Sequence, residues 1–494
     1  MKIKISLFLC ITFMSFSWAQ NKNIFLSRSF WTPDTTIEEV KARIADGNDI
    51  TAFDENSFDA VVKAIFGKAP LETIEFALSF KGNSIEKITH DKRTYLYWAA
   101  YSGNVALVEK LIKMKAAVDI KDSHQYSPMT FAAATGQVNQ EIYKLLINAG
   151  LQVAKDKDGH GANALLLSLQ HANDFSLIDY FVSKGANLRD VDDAGNGAFN
   201  YASKGGNKKI LDELISRGLP YKNLNKNGGN AMLFATTGSR KGYQSLEDFK
   251  YLVFLGVNAN ITNKEGVNPI HNLSYGNKDV ETFSYFKSQG VAADKPDQKG
   301  NTPLMKATER NSLEVVSWLA EHSKNINHKN LERQTCFTNS LGNDIEVIKY
   351  LLDQKADIHA IDANGNNCAY YLIKSLNRRN TKQFKSKIEL LSHRGFDFES
   401  PQKNGNTLFH LAVETNNSMV LKEISEFEIA IDKKNADGLT ALHLAIMTAQ
   451  NMEIINYLLS QGADKNIATD FDETCYELAK ENELLKHQEI NFLK

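Results

Sequence analysis

Apolar residues recur along this chain with a helical period. One stretch carries them at Leu313, Val315, Val316 and Leu319, a spacing that predicts an amphipathic helix rather than a strand. Glycines at 150, 185, 218, 256, 290, 395 and 462 close comparable stretches and read as helix stops in the left-handed conformation. Ahead of each such helix lies a polar turn and a shorter apolar run. In one unit Asp297-Gln298-Lys299-Gly300 forms the turn, Thr302 is placed to cap a helix, and Pro303 takes the first helical position, where its missing N–H costs nothing. Leu304 and Ala307 then point into the core. The pattern repeats when Thr302 is taken as a ruler. Its equivalents are Thr94, Ser127, Asn163, Gly197, Asn230, Asn268, Thr335, Asn367, Thr407, Thr440 and Thr474, at intervals of 32 to 40 residues, most of them 33 or 34.

The clearest copies read Gly300-Asn301-Thr302-Pro303-Leu304-Met305-Lys306-Ala307, Gly405-Asn406-Thr407-Leu408-Phe409-His410-Leu411-Ala412 and Gly438-Leu439-Thr440-Ala441-Leu442-His443-Leu444-Ala445. A period near 33 carrying this motif resembles the ankyrin repeat, and the resemblance covers residues 33–487. It implies an all-α solenoid of about 12 repeats, degenerate caps included, in which stacked units form one elongated body. It also implies a binding scaffold rather than a catalyst.

The ends depart from the repeat. Lys2 and Lys4 precede an apolar run from Ile5 to Trp18, and Ser17-Trp18-Ala19 offers small residues at a cleavage site. Residues 1–19 therefore read as a signal peptide, too short for a spanning helix of about 20 residues. Residues 20–32 read as an N-terminal linker and 33–56 as a capping half-repeat whose helix runs from Asp34 to Ile44. The solenoid proper is expected over 57–473, with Phe58, Val61 and Val62 in the core of a degenerate first unit. Residues 474–494 are expected to supply a capping helix and tail. Two units are enlarged, with extra residues near Thr237–Gln244 and Asn377–Lys387.

Charge is nearly balanced, at 57 Lys and Arg against 59 Asp and Glu; removing residues 1–19 leaves 55 against 59. Such a chain lacks the basic footprint of a nucleic-acid binder. The signal predicts export, to the periplasm or outside the cell, and no later segment has spanning length. Cys336, Cys368 and Cys475 share the slot that Pro303 holds, so they read as small buried hydrophobes rather than disulfide partners. His271, His410 and His443 share one slot too. The resemblance assigns them to tying turn to helix, and their spacing across repeats does not suit a zinc site. Asp190–Gly195 starts like a calcium loop but places Tyr201 where a glutamate ligand belongs, and Asp156–Gly161 fails likewise at Leu167. No nucleophile, phosphate-loop or metalloprotease motif is found, so neither catalysis nor a cofactor is expected.

The resemblance places partner binding on the turn tips and the concave face lined by the first helices, at the slots just before the ruler residue and just after the paired alanines. These are Arg93, Tyr101, Ser102, Tyr126, Thr135, Glu309, Arg310, Glu414 and Thr415, all expected to be exposed, with Tyr101 and Tyr126 as anchors because Tyr is favoured at interfaces. A second candidate is basic: Lys374, Arg378, Arg379, Lys382, Lys385 and Lys387, in and beside the larger insertion. The expected function is non-catalytic binding of a protein by an exported, monomeric scaffold of bacterial type. A secreted effector acting on a host protein is the alternative, and an enzyme with its site in an insertion is the third.

Overall fold

All twelve ruler positions from Thr94 to Thr474 are N-cap residues of helices. Ser127 accepts from the Thr130 amide, Thr302 from Met305 and Thr440 from His443, each satisfying a donor that the helix itself leaves open. The computed structural model describes residues 23–239, 242–376, 381–427 and 429–494. Among them every regular element is helical, and the extended segments amount to isolated bridges such as Lys157 with Asn163. The sequence-predicted signal segment lies outside the described residues.

The described residues form two compact units, one ending at Leu219 and one starting at Pro220. Within each, short first helices such as Pro303–Thr308 alternate with longer second helices such as Leu313–Glu321. First helices pack on first helices and second helices on second helices. Leu304, Ala307, Val315, Val316 and Leu319 are all buried between them, as their spacing predicts. One unit alone has too few apolar residues for a core, so its neighbours complete it.

The turns are built by a side chain five positions before the ruler. Asp297 Oδ1 accepts from the amides of Lys299 and Asn301 at 2.9 and 2.8 Å, closing its own turn. Adjacent turns then join by backbone: Leu331 N donates to Lys299 O at 3.0 Å, and Ala363 N donates to Glu332 O at 2.8 Å. Asp158 and Asp192, the acids of the calcium-like stretches, are used in the same way, their Oδ1 atoms accepting amides four residues on.

Residues 23–32 are not a linker. Phe25 and Trp31 are buried, Trp31 Nε1 donates to Phe25 O at 2.9 Å, and Phe30 meets both rings edge-on. Three aromatic residues in seven carry enough apolar surface to fold onto the helix Ala60–Gly67. The capping helix starts at Ile37, where Thr36 and Glu39 form a capping box, three residues later than its sequence suggests. Val61 and Val62 are buried, while Phe58 is half-buried. At the other end, the helix Cys475–Glu481 is followed by two turns of 3-10 helix that bury Leu485 and Leu493.

The insertion near Thr237–Gln244 folds back through a bridge between Ser239 and Gly242, and Tyr243 donates its hydroxyl to Asn272 O at 3.2 Å. The described part of the second insertion lengthens a helix: Thr381–His393 has 13 residues against nine in Ile345–Asp353. Cys336, Cys368 and Cys475 are buried and free, Cys336 Sγ donating to Ile326 O at 3.1 Å. Burial pushes the Cys336 thiol up to about 12.

Candidate partner-binding surface

First helices are short because the chain must turn after five to eight residues, and the residues just past their paired alanines sit at the helix ends. Tyr101 and Tyr126 come from consecutive units and converge on one ring, Phe131, with centroid separations of 5.8 and 6.3 Å. Tyr101 is 42% exposed and Tyr126 half-buried, so they present one aromatic patch backed by buried Trp98 and Phe131. Ser102 and Thr135 flank it, half-buried, each hydroxyl donating to a carbonyl of its own helix.

Arg93 is not exposed. It is 4% accessible, its guanidinium lies 4.1 Å from the Phe131 centroid, and it pairs with Asp122 and Asp91. The side chain points inward because the Asp122 carboxylate of the next turn lies within its reach. It supports the aromatic patch from beneath.

In the second unit Arg310 is exposed and held in place. Its Nη1 donates to the Tyr275 hydroxyl at 2.9 Å, and its guanidinium stands 4.6 Å from that ring's centroid. Tyr275, 48% exposed, was not singled out from the sequence. It lies seven positions after Asn268, as Tyr101 does after Thr94, and so occupies the same slot; Leu273-Ser274 in place of paired alanines disguised it. Glu309 is exposed at the end of Pro303–Thr308 and lines a cleft of about 490 Å³ with Lys306, Leu331 and Asn339. The protein walls around Glu309 displace bulk water and raise its carboxyl above the usual range, an effect that Lys306 and Arg310 partly offset. Glu414 is exposed and accepts from Asn406 Nδ2 at 2.8 Å. Thr415 is half-buried and donates to Ala412 O.

The basic candidate divides. Arg378 and Arg379 lie outside the described residues. Lys374 and Lys382 are exposed, and Lys385 pairs with Glu426 at 3.1 Å. Lys387 does not belong to a basic surface: it is 2% exposed, its Nζ donates to Leu341 O at 3.1 Å, and burial lowers its pKa to about 8. It shares an inward stripe with Phe384, Ile388 and Leu391, which helical spacing places together.

The three slot histidines are buried. His410 and His443 bridge the amide of their ruler residue to a carbonyl of the next turn, Leu439 O at 2.9 Å and Ile467 O at 2.8 Å. Among the described residues no group of three or more His, Cys, Asp and Glu is arranged to hold a metal ion. No described helix is long and apolar enough to cross a membrane.

Three stretches, residues 61–158, 239–330 and 379–469, match the family model for ankyrin repeats, together more than half of the chain. A segment of 111 residues is 31% identical to alpha-latrotoxin-Lg1a of Latrodectus geometricus, covering 21% of this chain and 8% of that protein. Another of 132 residues is 31% identical to the ankyrin repeat protein FPV031 of Fowlpox virus (strain NVSL), covering 26% of this chain and 37% of that one. A third of 121 residues is 33% identical to alpha-latrocrustotoxin-Lt1a of Latrodectus tredecimguttatus, over 22% and 8%. The chain thus spans well under half the length of the curated relatives it matches. With the helix pairs, the capped turns and the family match in agreement, the chain belongs to the ankyrin-repeat family.

Proposed function

We propose that this protein is an exported, non-catalytic scaffold that binds another protein through its turn tips and the ends of its first helices. Ankyrin repeats generally mediate protein–protein interaction, and the family is typically non-catalytic. The observation that carries the reading is an exposed tyrosine at the same slot of two repeats, each packed on a neighbouring side chain, Tyr101 on buried Phe131 and Tyr275 under exposed Arg310. Tyr and Arg held in place beforehand lose little freedom on binding, which is what interface anchors require. The buried histidines and thiols serve the turns and the core instead.

Export rests on the Lys-led apolar segment before Gln20, and a periplasmic or extracellular site follows from it. Two relatives are named as toxins, and a secreted effector is the second reading. The matched stretch is 8% of each toxin, so the likeness supports shared repeats and not a shared activity. Capture of partners from the producing cell's exported fraction, followed by binding to a Tyr101→Ala, Arg310→Ala variant, tests the reading. Loss of capture supports it; unchanged capture rejects these anchors.

A further inference from the structure

The cleft beside Glu309 has a chemistry of its own. Its volume, about 490 Å³, falls within the range of about 300–1,000 Å³ typical of ligand sites and gives room for a few residues of an extended chain. One of its charges is already balanced, since Lys306 Nζ lies 3.4 Å from the carboxylate of Asp297, which closes the turn and does not line the cleft. Glu309 stands exposed on the cleft wall and forms no ion pair among the described residues. Arg310, the nearest cation in sequence, is turned away onto Tyr275. Glu332 adds a second acid to the cleft, and Lys299 a second base beside the Lys306 that Asp297 already holds. At the turn tip Leu331 is 75% exposed, held by its backbone bond to Lys299 rather than by its side chain.

We infer that this cleft takes an extended segment of the partner that presents a lysine or arginine to Glu309 and an apolar side chain to Leu331. The inference rests on the protein-binding reading above and specifies the partner's chemistry at one site. With Lys306 held by Asp297, two acids face one remaining base in the cleft, which favours a cation, and an isolated leucine at the rim contributes affinity only if the partner covers it.

A random linear dodecapeptide library, displayed on phage and selected against the purified full chain, tests this. Enriched sequences are expected to share a Lys or Arg within a few residues of a large apolar residue. Synthetic copies should bind Glu309→Gln about fivefold more weakly, the size expected of one ion pair at the upper end of the surface range. Leu331→Ser should relax the apolar preference, and Glu309→Lys should abolish selection of basic peptides. Both positions are exposed, and unchanged melting of the variants separates lost binding from lost folding. Binders lacking a basic residue, binders insensitive to both substitutions, or no enrichment at all would each overturn the inference. In the second case the protein would still bind peptides, elsewhere on its surface, and the broader reading would stand. That reading fails separately, if a captured native partner ignores Tyr101 and Arg310.

Discussion

Arg93 grips the Asp122 carboxylate with two nitrogens, Nε and Nη2, each 2.8 Å from the same oxygen, Oδ2. The other oxygen, Oδ1, accepts the amides of His124 and Tyr126. One turn's arginine therefore fixes the acid that shapes the next turn. Arg93→Ala leaves Asp122 buried without its counter-ion, and the expected loss is about 3–5 kcal/mol of stability. Arg93→Lys keeps the charge but loses the fork, and should recover only part of it. Thermal or urea melts of the two variants check this; a silent Arg93→Ala would mean that the pair is not structural.

The position two before each ruler residue lies in the left-handed region, and four units fill it without glycine. Arg333 has φ 59° there, while Gly300 has φ 80° in the preceding turn. A side chain in that conformation is strained by about 1–2 kcal/mol. Arg333→Gly is therefore expected to stabilise by about 0.5–1 kcal/mol, once glycine's added freedom in the unfolded chain is deducted. Gly300→Ala should destabilise by more, because its Cβ would stand 2.9 Å from Asn330 Cα. Urea midpoints of the two variants should move in opposite directions.

Core and surface slots of one helix should separate cleanly. Leu442 is 1% exposed in Ala441–Thr448, whereas Thr448 is exposed at its end. Leu442→Ala should cost about 2–5 kcal/mol and Thr448→Ala under about 0.5 kcal/mol. Equal shifts in melting temperature would refute the register.

Acid should weaken the fold through the slot histidines. Burial lowers His271 to about 4, and it lowers His410 and His443 in the same direction. The folded form holds these rings neutral, while the unfolded chain takes up protons from about 6.5 downward. Their stabilising contribution is thus complete above about pH 6.5 and is lost as the pH falls, for His271 down to about 4. For His271 the loss at about pH 5 is about 2 kcal/mol. His271→Gln cannot protonate, so its stability should fall less than wild type between about pH 7 and 5, measured by urea unfolding.

The repeat and its register were legible because every ruler residue does the same local job, capping a helix, and local jobs leave marks at fixed spacing. What escaped depended on neighbours. Arg93 occupies a slot expected to face solvent, and the acid 29 residues on, Asp122, together with Asp91 and the Phe131 ring, holds it inward. Lys387 sat in a run of bases that looked like a surface, although Phe384, Ile388 and Leu391 already marked its side of the helix as buried. Phe25, Phe30 and Trp31 lie outside the repeat, and no periodicity pointed to the cap they form. The exposed slot at Tyr275 was readable by counting from Asn268, and was missed because its unit lacks the alanine pair.

The most direct test of binding at the helix ends is the affinity of a captured partner for wild type and for the variant carrying Tyr101→Ala and Arg310→Ala, by calorimetry at matched stability. Buried aromatic and arginine anchors each contribute about 2 kcal/mol or more. At least a thirtyfold rise in Kd, roughly 2 kcal/mol, is the expected result even if only one anchor is engaged. An unchanged Kd, with the variant folded, would contradict binding at these helix ends.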